Sequence, residues 1–247
     1  VSRSADLDRR LAELATRPVN FDAARVDLAH PPAGWTTDDR RQGLPSEPPG
    51  EPVDGGPWEI ASRLIRGYEF ADPSLVRAHY DDSSPLQGRD MLLELRALNL
   101  VRVHVGVRVS VVWDETRHED GRRARVFGWA YRTLEGHVEQ GQMGWQVWKW
   151  LDSGEVEFRA HAVSRTASIK NPFIWVGFHL LKGYERRIYL DSTDRRMREL
   201  TAAALRESSP GDAIRAASPE LTARRGAAGD PSHEALAGRL EDDPPAA

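Results

Sequence analysis

Tyr131, Arg132, Glu135 and His137 fall within seven residues of one another, and Glu139 and Gln142 follow closely. A carboxylate beside an imidazole orients the ring and sets its tautomer, so His137 with Glu135 or Glu139 has the composition of a general acid–base pair. Leu134-Glu135-Gly136 reads as a turn between two strands, which would gather these side chains at one end of a sheet. The same residues also suit a structural role, in which Gly136 supplies a turn conformation, Thr133 and Glu135 bond the turn backbone, and His137 covers it. Residue types alone leave both readings open.

A second set is dispersed along the chain but alternates with apolar positions. His104, Arg108, Arg132, His161 and Arg165 share the polar face of the expected sheet. If a helix covers that face, buried guanidinium groups require anionic partners, which favours a ligand bearing a carboxylate or phosphate. If the face is exposed, they pair across strands with Glu94, Glu155 or Glu157. The candidate ligand contacts are therefore Trp129, Tyr131, Arg132, His137 and Gln142 near the turn, with His104, His161 and Arg165 on the strands. The catalytic candidates are His137, Glu135 and Glu139. His104, His137 and His161 lack the close spacing that pins a metal, and a chain without Cys has no thiolate ligands or nucleophiles, so neither metal nor cofactor is expected. Absence of a Gly-x-Ser-x-Gly elbow, a phosphate loop and a dinucleotide fingerprint argues against the chemistries those motifs serve.

The elements that must position these residues follow from pattern. Val101, Val103, Val105, Val107, Val109, Val111 and Trp113 alternate with mostly polar residues, the period of a strand with one apolar face. Met91 to Leu100 is apolar enough to precede it as another strand, and Asp120-Gly121 is a hairpin pair. Ala124 to Thr133, Gln142 to Leu151 and Glu155 to Arg165 are separated by short turns, which imply an antiparallel meander. Val156, Phe158, Ala160 and Ala162 face one way along the last of these, while Trp145, Trp148 and Trp150 put rings on both faces of its neighbour. Upstream, the pattern predicts a short helix over Asp6 to Thr16, an extended Pro/Gly-rich arm from Pro31 to Pro57 anchored by Trp35, and a helix opened by Pro57. It also predicts a second short helix, capped by Asp72 and carrying Leu75, Val76, His79 and Tyr80. Asn171-Pro172 opens a long final helix to about Arg206. Phe173, Val176, Gly177, Leu180, Tyr184 and Ile188 make its apolar stripe, and Arg186, Arg187, Arg195, Arg196 and Arg198 its solvated face.

The run Phe127-Gly128-Trp129-Ala130-Tyr131-Arg132-Thr133-Leu134-Glu135-Gly136-His137, followed by Glu139, Gly141 and Ser164-Arg165, resembles the domain of unknown function 1990 family. That family's pattern is an aromatic strand, Tyr-Gly-Thr-Leu-Pro-Gly-His, a Glu-x-Gly-Glu segment and then Ser-Arg before the final helix. The resemblance extends from about Pro32, with Ala33-Gly34-Trp35 as an early signature, to about Leu200. Arg132 stands where the family tends to have Gly, Glu135 where it has Pro, and Gln142 where it has Glu. An amide can neither ionise nor act as a base, so the resemblance carries no acid–base role of that second Glu over to Gln142. The order of elements is similar to helix-grip proteins of the START-like and birch-pollen-allergen-like kind. The resulting expectation is an α+β fold, an antiparallel β-sheet meander wrapped on a long C-terminal helix, with a Pro-rich N-terminal arm and a disordered C-terminal tail.

Three segments are expected: residues 1–56 as N-terminal helix and arm, 57–206 as the helix-grip domain, and 207–247 as the tail, whose Ala, Pro, Gly and acid content opposes collapse. A net charge of −4 without a basic stripe opposes nucleic-acid binding. No apolar run is long enough to span a membrane, and no secretory signal pattern opens the chain, so cytoplasmic residence is expected. The expected partner is a small apolar or amphipathic molecule held between sheet and final helix. The alternatives are a helix-grip enzyme of cyclase, hydratase or hydrolase type using His137 and a nearby carboxylate, and a non-enzymatic interaction scaffold.

Overall fold

The computed structural model describes residues 3–28, 30–97, 101–167 and 172–206. Helix α1 (Arg3–Glu13) runs into a 3-10 turn, Leu14–Thr16, and is followed by strand β1 (Thr36–Leu44) and helix α2 (Pro57–Arg66). Strands β2 (Val76–His79), β3 (Asp90–Ala97), β4 (Val101–Glu119), β5 (Arg122–Thr133), β6 (Glu139–Trp150) and β7 (Val156–Thr166) precede helix α3 (Pro172–Arg206). The strands form one sheet of order β1-β7-β6-β5-β4-β3-β2, antiparallel throughout. With α3 across one face, this is the α+β helix-grip arrangement.

Each long strand divides its side chains between two buried faces. Phe127, Trp129 and Tyr131 of β5, Met143, Trp145 and Val147 of β6, and Phe158, Ala160 and Ala162 of β7 point inward, where they meet Leu64 and Ile65 of α2 and Leu190, Met197 and Leu200 of α3. Residues of opposite parity make two smaller clusters on the outer face. Leu92 and Leu134 pack under Leu7 and Leu14 of the N-terminal segment, and Trp148 and Trp150 pack with Ala124 and Val126. Arg159 lies over the Trp148 ring at 3.9 Å and Arg122 over Trp150 at 4.3 Å, so guanidinium groups shield indoles from water. The hairpin at Asp120-Gly121 has positive φ at both residues, 53° and 75°, the backbone that a two-residue turn between right-twisted strands requires.

Two elements differ from the sequence pattern. Thr36–Leu44 falls within the predicted arm yet forms edge strand β1, pairing with β7 over the whole register from Thr36↔Ser164 to Leu44↔Val156. Its Asp38-Asp39-Arg40-Arg41 run hides the strand period, because an edge strand needs pairing on one side only and carries charge as protection. Asp72 does cap a turn, accepting from the Ser74 N–H at 2.8 Å, but the turn ends at once and Val76–His79 pairs with β3 in place of the predicted helix. Asn171, the stripe side chains Phe173, Val176, Leu180 and Tyr184 with Gly177 among them, and the tail, 207–247, lie outside the description. Ile188, the last stripe residue, lines an open surface hollow with Leu75 and Arg195.

The start of α2 is tied to the sheet by a fully buried ion pair. Lys149 Nζ donates to Glu47 Oε2 at 2.5 Å and to the Glu51 carbonyl at 2.8 Å, and Glu47 Oε1 accepts from the Trp58 N–H at 2.7 Å. Neither charged side chain is exposed to solvent. Removing one partner strands the other charge in the interior, so Lys149→Met is expected to cost about 3–5 kcal/mol. The double change Glu47→Gln/Lys149→Met should recover part of that loss. Urea unfolding of the parent and both variants checks these statements.

Candidate functional site

Gly67 ends α2, and Tyr68, one residue later, has φ of 57°. The Tyr68 N–H donates to the Ile65 carbonyl at 3.2 Å and the Glu69 N–H to the Leu64 carbonyl at 3.0 Å, the two bonds of a left-handed helix terminus. Glycine is usual at that position, because a side chain there costs roughly 1–2 kcal/mol. Surrounding donors hold the strained corner. Trp129 Nε1 donates to the Ile65 carbonyl at 2.9 Å, Tyr80 Oη to the Gly67 carbonyl at 2.7 Å, and Arg196 Nη2 to the Glu69 carbonyl at 3.1 Å. Backbone strain that persists only because neighbours over-determine it is concentrated at functional sites.

This corner aims the Tyr68 ring into the space between sheet and α3. Its hydroxyl lies 2.9 Å from that of Tyr189 on α3, and the Tyr131 hydroxyl of β5 adjoins it. Tyr68 and Tyr131 are buried. Burial holds all three phenols well above the ordinary tyrosine range, reinforced at Tyr68 and Tyr131 by the neighbouring phenol, so each is a neutral hydrogen-bonding group at physiological pH. Beside them, Arg186 of α3 reaches Ser164 Oγ at 2.7 Å, Glu139 at 3.2 Å and Asp38 of β1. Both Glu139 and Arg186 act electrostatically on Tyr131, which joins the phenols and the charges into one site.

Arg186 therefore does not belong to the solvated face of α3 where the pattern puts it: its side chain is 18% exposed and bound on three sides. Tyr189, Thr193, Met197, Leu200 and Ala204 continue from it at three- and four-residue steps, so Arg186 sits at a stripe position. That spacing was the available signal. Ser164 was visible as part of the Ser164-Arg165 signature, and Tyr68 and Tyr189 stand at helical spacing from apolar residues of α2 and α3, whereas Asp38 had no signal beyond burial by a neighbour distant in sequence.

The residues singled out from sequence separate into three places. Trp129 and Tyr131 are on the inner face, within the site just described. Arg132, Gln142, His104, His161 and Arg165 are on the outer face with protein partners. Arg132 Nε donates to Gln142 Oε1 at 3.1 Å, so two departures from the family pattern sit opposite each other across β5 and β6. His104 pairs with the buried Glu94 at 3.4 Å, His161 with Asp39 at 2.6 Å, and Arg165 Nε donates to Gln140 at 2.8 Å with its guanidinium over Trp35. Arg108 reaches Asp90 and the Leu14 carbonyl. At the sheet end, Glu135 is exposed, with its N–H donating to the Pro18 carbonyl. His137 Nδ1 accepts the Glu139 N–H at 2.9 Å. The ring's free lone pair is thus engaged by turn backbone, and burial lowers its pKa to about 4 against the opposing pull of Glu139.

The signature turn has a structural logic. Thr133 Oγ1 accepts the Gly141 N–H at 2.9 Å and donates to Asn20 Oδ1 at 2.6 Å, and Asn20 Nδ2 donates to the Glu139 carbonyl. Gly141 is required by close approach, because a Cβ there would stand 2.2 Å from the Val163 carbonyl oxygen. Gly136 has φ of 89°. These residues close the β5–β6 turn and bring Glu139 to the inner face beside Tyr131 and Arg186.

Fold and site together define a helix-grip protein with a polar cluster beneath its C-terminal helix. The chain belongs to the family described as Domain of unknown function (DUF1990), whose model matches residues 20–191. The match begins at Asn20, the residue that ties the N-terminal segment to the signature turn. No curated protein matches the chain. Among solved structures, it is similar to the protein TTHA0849 from Thermus thermophilus, with 12% identity, a TM-score of 0.44 and coverage of 69% of this chain and 98% of that one. It is also similar to norcoclaurine synthase from Thalictrum flavum, with 7% identity, a TM-score of 0.44 and coverage of 68% and 94%. Ginseng major latex-like protein 151 from Panax ginseng has 12% identity, a TM-score of 0.39 and coverage of 68% and 97%. No described helix is long and apolar enough to cross a membrane.

The low pKa of His137 has a signed consequence for stability. Between its folded value of about 4 and its ordinary value of 6.5, the unfolded chain binds the extra proton, so stability falls as pH drops through that window. Replacing His137 with Gln should flatten the dependence of Tm on pH between 6.5 and 5. Thermal melts of both proteins across that range measure it; parallel slopes would contradict a half-buried imidazole held neutral.

Proposed function

We propose that this protein binds a small apolar or amphipathic molecule between the inner face of the sheet and α3, with the tyrosine cluster as its polar end. One observation carries the reading: three neutral phenols converge where an aromatic interior meets an ion cluster, and one of them is held there on strained backbone. Pockets for small ligands combine an apolar lining with a few fixed polar groups, and this interior has that composition. Trp129, Trp145, Phe158 and Phe70 form a continuous wall, with Phe70 4.6 Å from Trp145 and Trp145 stacked on Phe158. Tyr68, Tyr131, Tyr189, Arg186 and Glu139 supply the polar groups.

An acid–base role for His137 draws less support. A neutral ring whose Nδ1 accepts a backbone N–H carries its proton on Nε2, so it has no base to offer at pH 7. Trp129 supports the site indirectly by holding the helix end that places Tyr68.

Native mass spectrometry of the protein purified without denaturation, followed by organic extraction, is expected to reveal a non-covalent small molecule. Ala162 is buried on β7 opposite Asp38, so Ala162→Trp places a ring beside the ion cluster. That variant should lose the bound molecule while keeping the parent far-ultraviolet circular dichroism. Identical spectra from parent and variant, with no bound mass in either, would count against the reading.

A further inference from the structure

Trp129, Trp145, Phe158 and Phe70 are the aromatic rings sealed most completely from solvent. The first three stand on β5, β6 and β7, and each of those strands is bonded to a neighbour on both sides, so their backbone is fixed by ladder hydrogen bonds. Phe70 differs. It belongs to residues 67–75, a strap between α2 and β2 that is neither helix nor strand. Among the described residues, neither Phe70 nor Ala71 takes part in a backbone–backbone hydrogen bond. The strap is bonded on either side of them: the Glu69 N–H donates to the Leu64 carbonyl at 3.0 Å, and the Leu75 and Val76 N–H groups donate to the Asp72 carbonyl at 2.9 and 2.8 Å. Ring contacts therefore hold Phe70 in place, with Trp145 at 4.6 Å, Tyr68 at 4.9 Å and Phe158 at 5.8 Å.

Three further features bear on how firmly the strap is seated. It leaves α2 through the left-handed Tyr68, so it starts from strained backbone. Its far end borders open space, since Asp72 and Leu75 line a surface hollow with Ile188 and Arg195 of α3. An outward shift of the strap has somewhere to go. Finally, the packing around Phe70 leaves the fully buried Trp145 Nε1 without a hydrogen-bond partner among the described residues. A buried donor left unmade is destabilising, so the closed interior is not a fully satisfied core.

A molecule lying against Trp145 and Phe158 would occupy the space that the Phe70 ring fills. Resting on the ligand-site reading above, we propose that Phe70 is an internal plug, which fills the site in the free protein and is displaced by an apolar ligand as the strap swings outward toward the hollow beside α3. Phe70 completes the aromatic wall only while the site is empty. Tyr68 stays with the end of α2 and keeps its hydroxyl at the polar end. Opening then precedes tight binding, and the apparent affinity is reduced by the fraction of molecules in which the plug is out.

The chain has no Cys, so a single introduced thiol is a unique reporter. Ala71→Cys places it beside Phe70 at a buried position, and Ala124→Cys places a control in the buried outer-face cluster. The ligand probe is N-phenyl-1-naphthylamine, a neutral molecule whose fluorescence rises in apolar surroundings, and labelling by N-ethylmaleimide is followed by mass spectrometry. Saturating probe is expected to raise the labelling rate of Ala71→Cys by about tenfold or more and to leave Ala124→Cys unchanged, and Phe70→Ala should bind the probe about tenfold more tightly than the parent, because the plug no longer competes. Hydrogen exchange over residues 67–75 of the unsubstituted chain should also rise on adding the probe, which reads the same motion without any substitution. Probe binding to the parent with unchanged or slower labelling and exchange in the strap would overturn the plug while leaving a ligand site in place. Failure of the probe to bind either the parent or Phe70→Ala would overturn the ligand-site reading itself, and the plug with it.

Discussion

Two-sided burial of the sheet is the constraint on which the rest of this structure depends. Period-two alternation sends Trp129, Trp145 and Phe158 inward and Leu134, Trp148 and Trp150 outward, so neither face can be left to water. The inner face is closed by helices from both sides of the strand run in sequence, α2 and α3, and part of the outer face is closed by α1 and its 3-10 turn. Each closure needs polar accommodation at its margin. On the outer face Arg108 reaches the end of the N-terminal helix, and on the inner face Lys149 and Glu47 anchor the start of α2. The phenol and ion cluster occupies the remaining margin, under α3.

The family pattern acquires a division of labour from this geometry. Thr133, Gly136, His137 and Gly141 all serve the β5–β6 turn, through a hydroxyl bridge, a positive φ, a ring that accepts backbone and a close approach. Trp129 caps α2 from across the interior, and Glu139 and Ser164 face the helix beside Arg186. Arg132 and Gln142, where this chain departs from the pattern, are bonded to each other on the far side of the sheet. The departures therefore leave the inner face untouched.

What could be read in the chain before folding was whatever is periodic or local. Seven alternating positions from Val101 to Trp113 announce β4, Asp120-Gly121 its hairpin, and Pro57 and Pro172 the starts of two helices. The family motif supplied the turn. Illegible parts owe their state to distant partners. Thr36–Leu44 becomes a strand only because β7 offers its edge, and Val76–His79 only because β3 does. The site was half visible for the same reason: Tyr131 and Glu139 lay inside the motif, whereas Tyr68, Tyr189, Arg186 and Asp38 come from other elements. Grouping charged residues by alternation alone placed Arg132, His104, His161 and Arg165 together correctly as one face, but which face the helix covers is a property of the assembled sheet.

Tyr68 shows how this architecture constrains change over generations. Glycine would relax the left-handed end of α2 by roughly 1–2 kcal/mol, but it would also remove a buried ring that packs on Phe70 and Trp129, at a cost of about 3–5 kcal/mol, so the interior itself holds an aromatic residue at this codon. Packing explains the ring, which leaves the hydroxyl and its bond to Tyr189 as the part that phenylalanine would not supply. Tyrosine at this helix end in other family members would thus mark selection for the hydroxyl, whereas phenylalanine there would mark lineages in which the position serves packing alone.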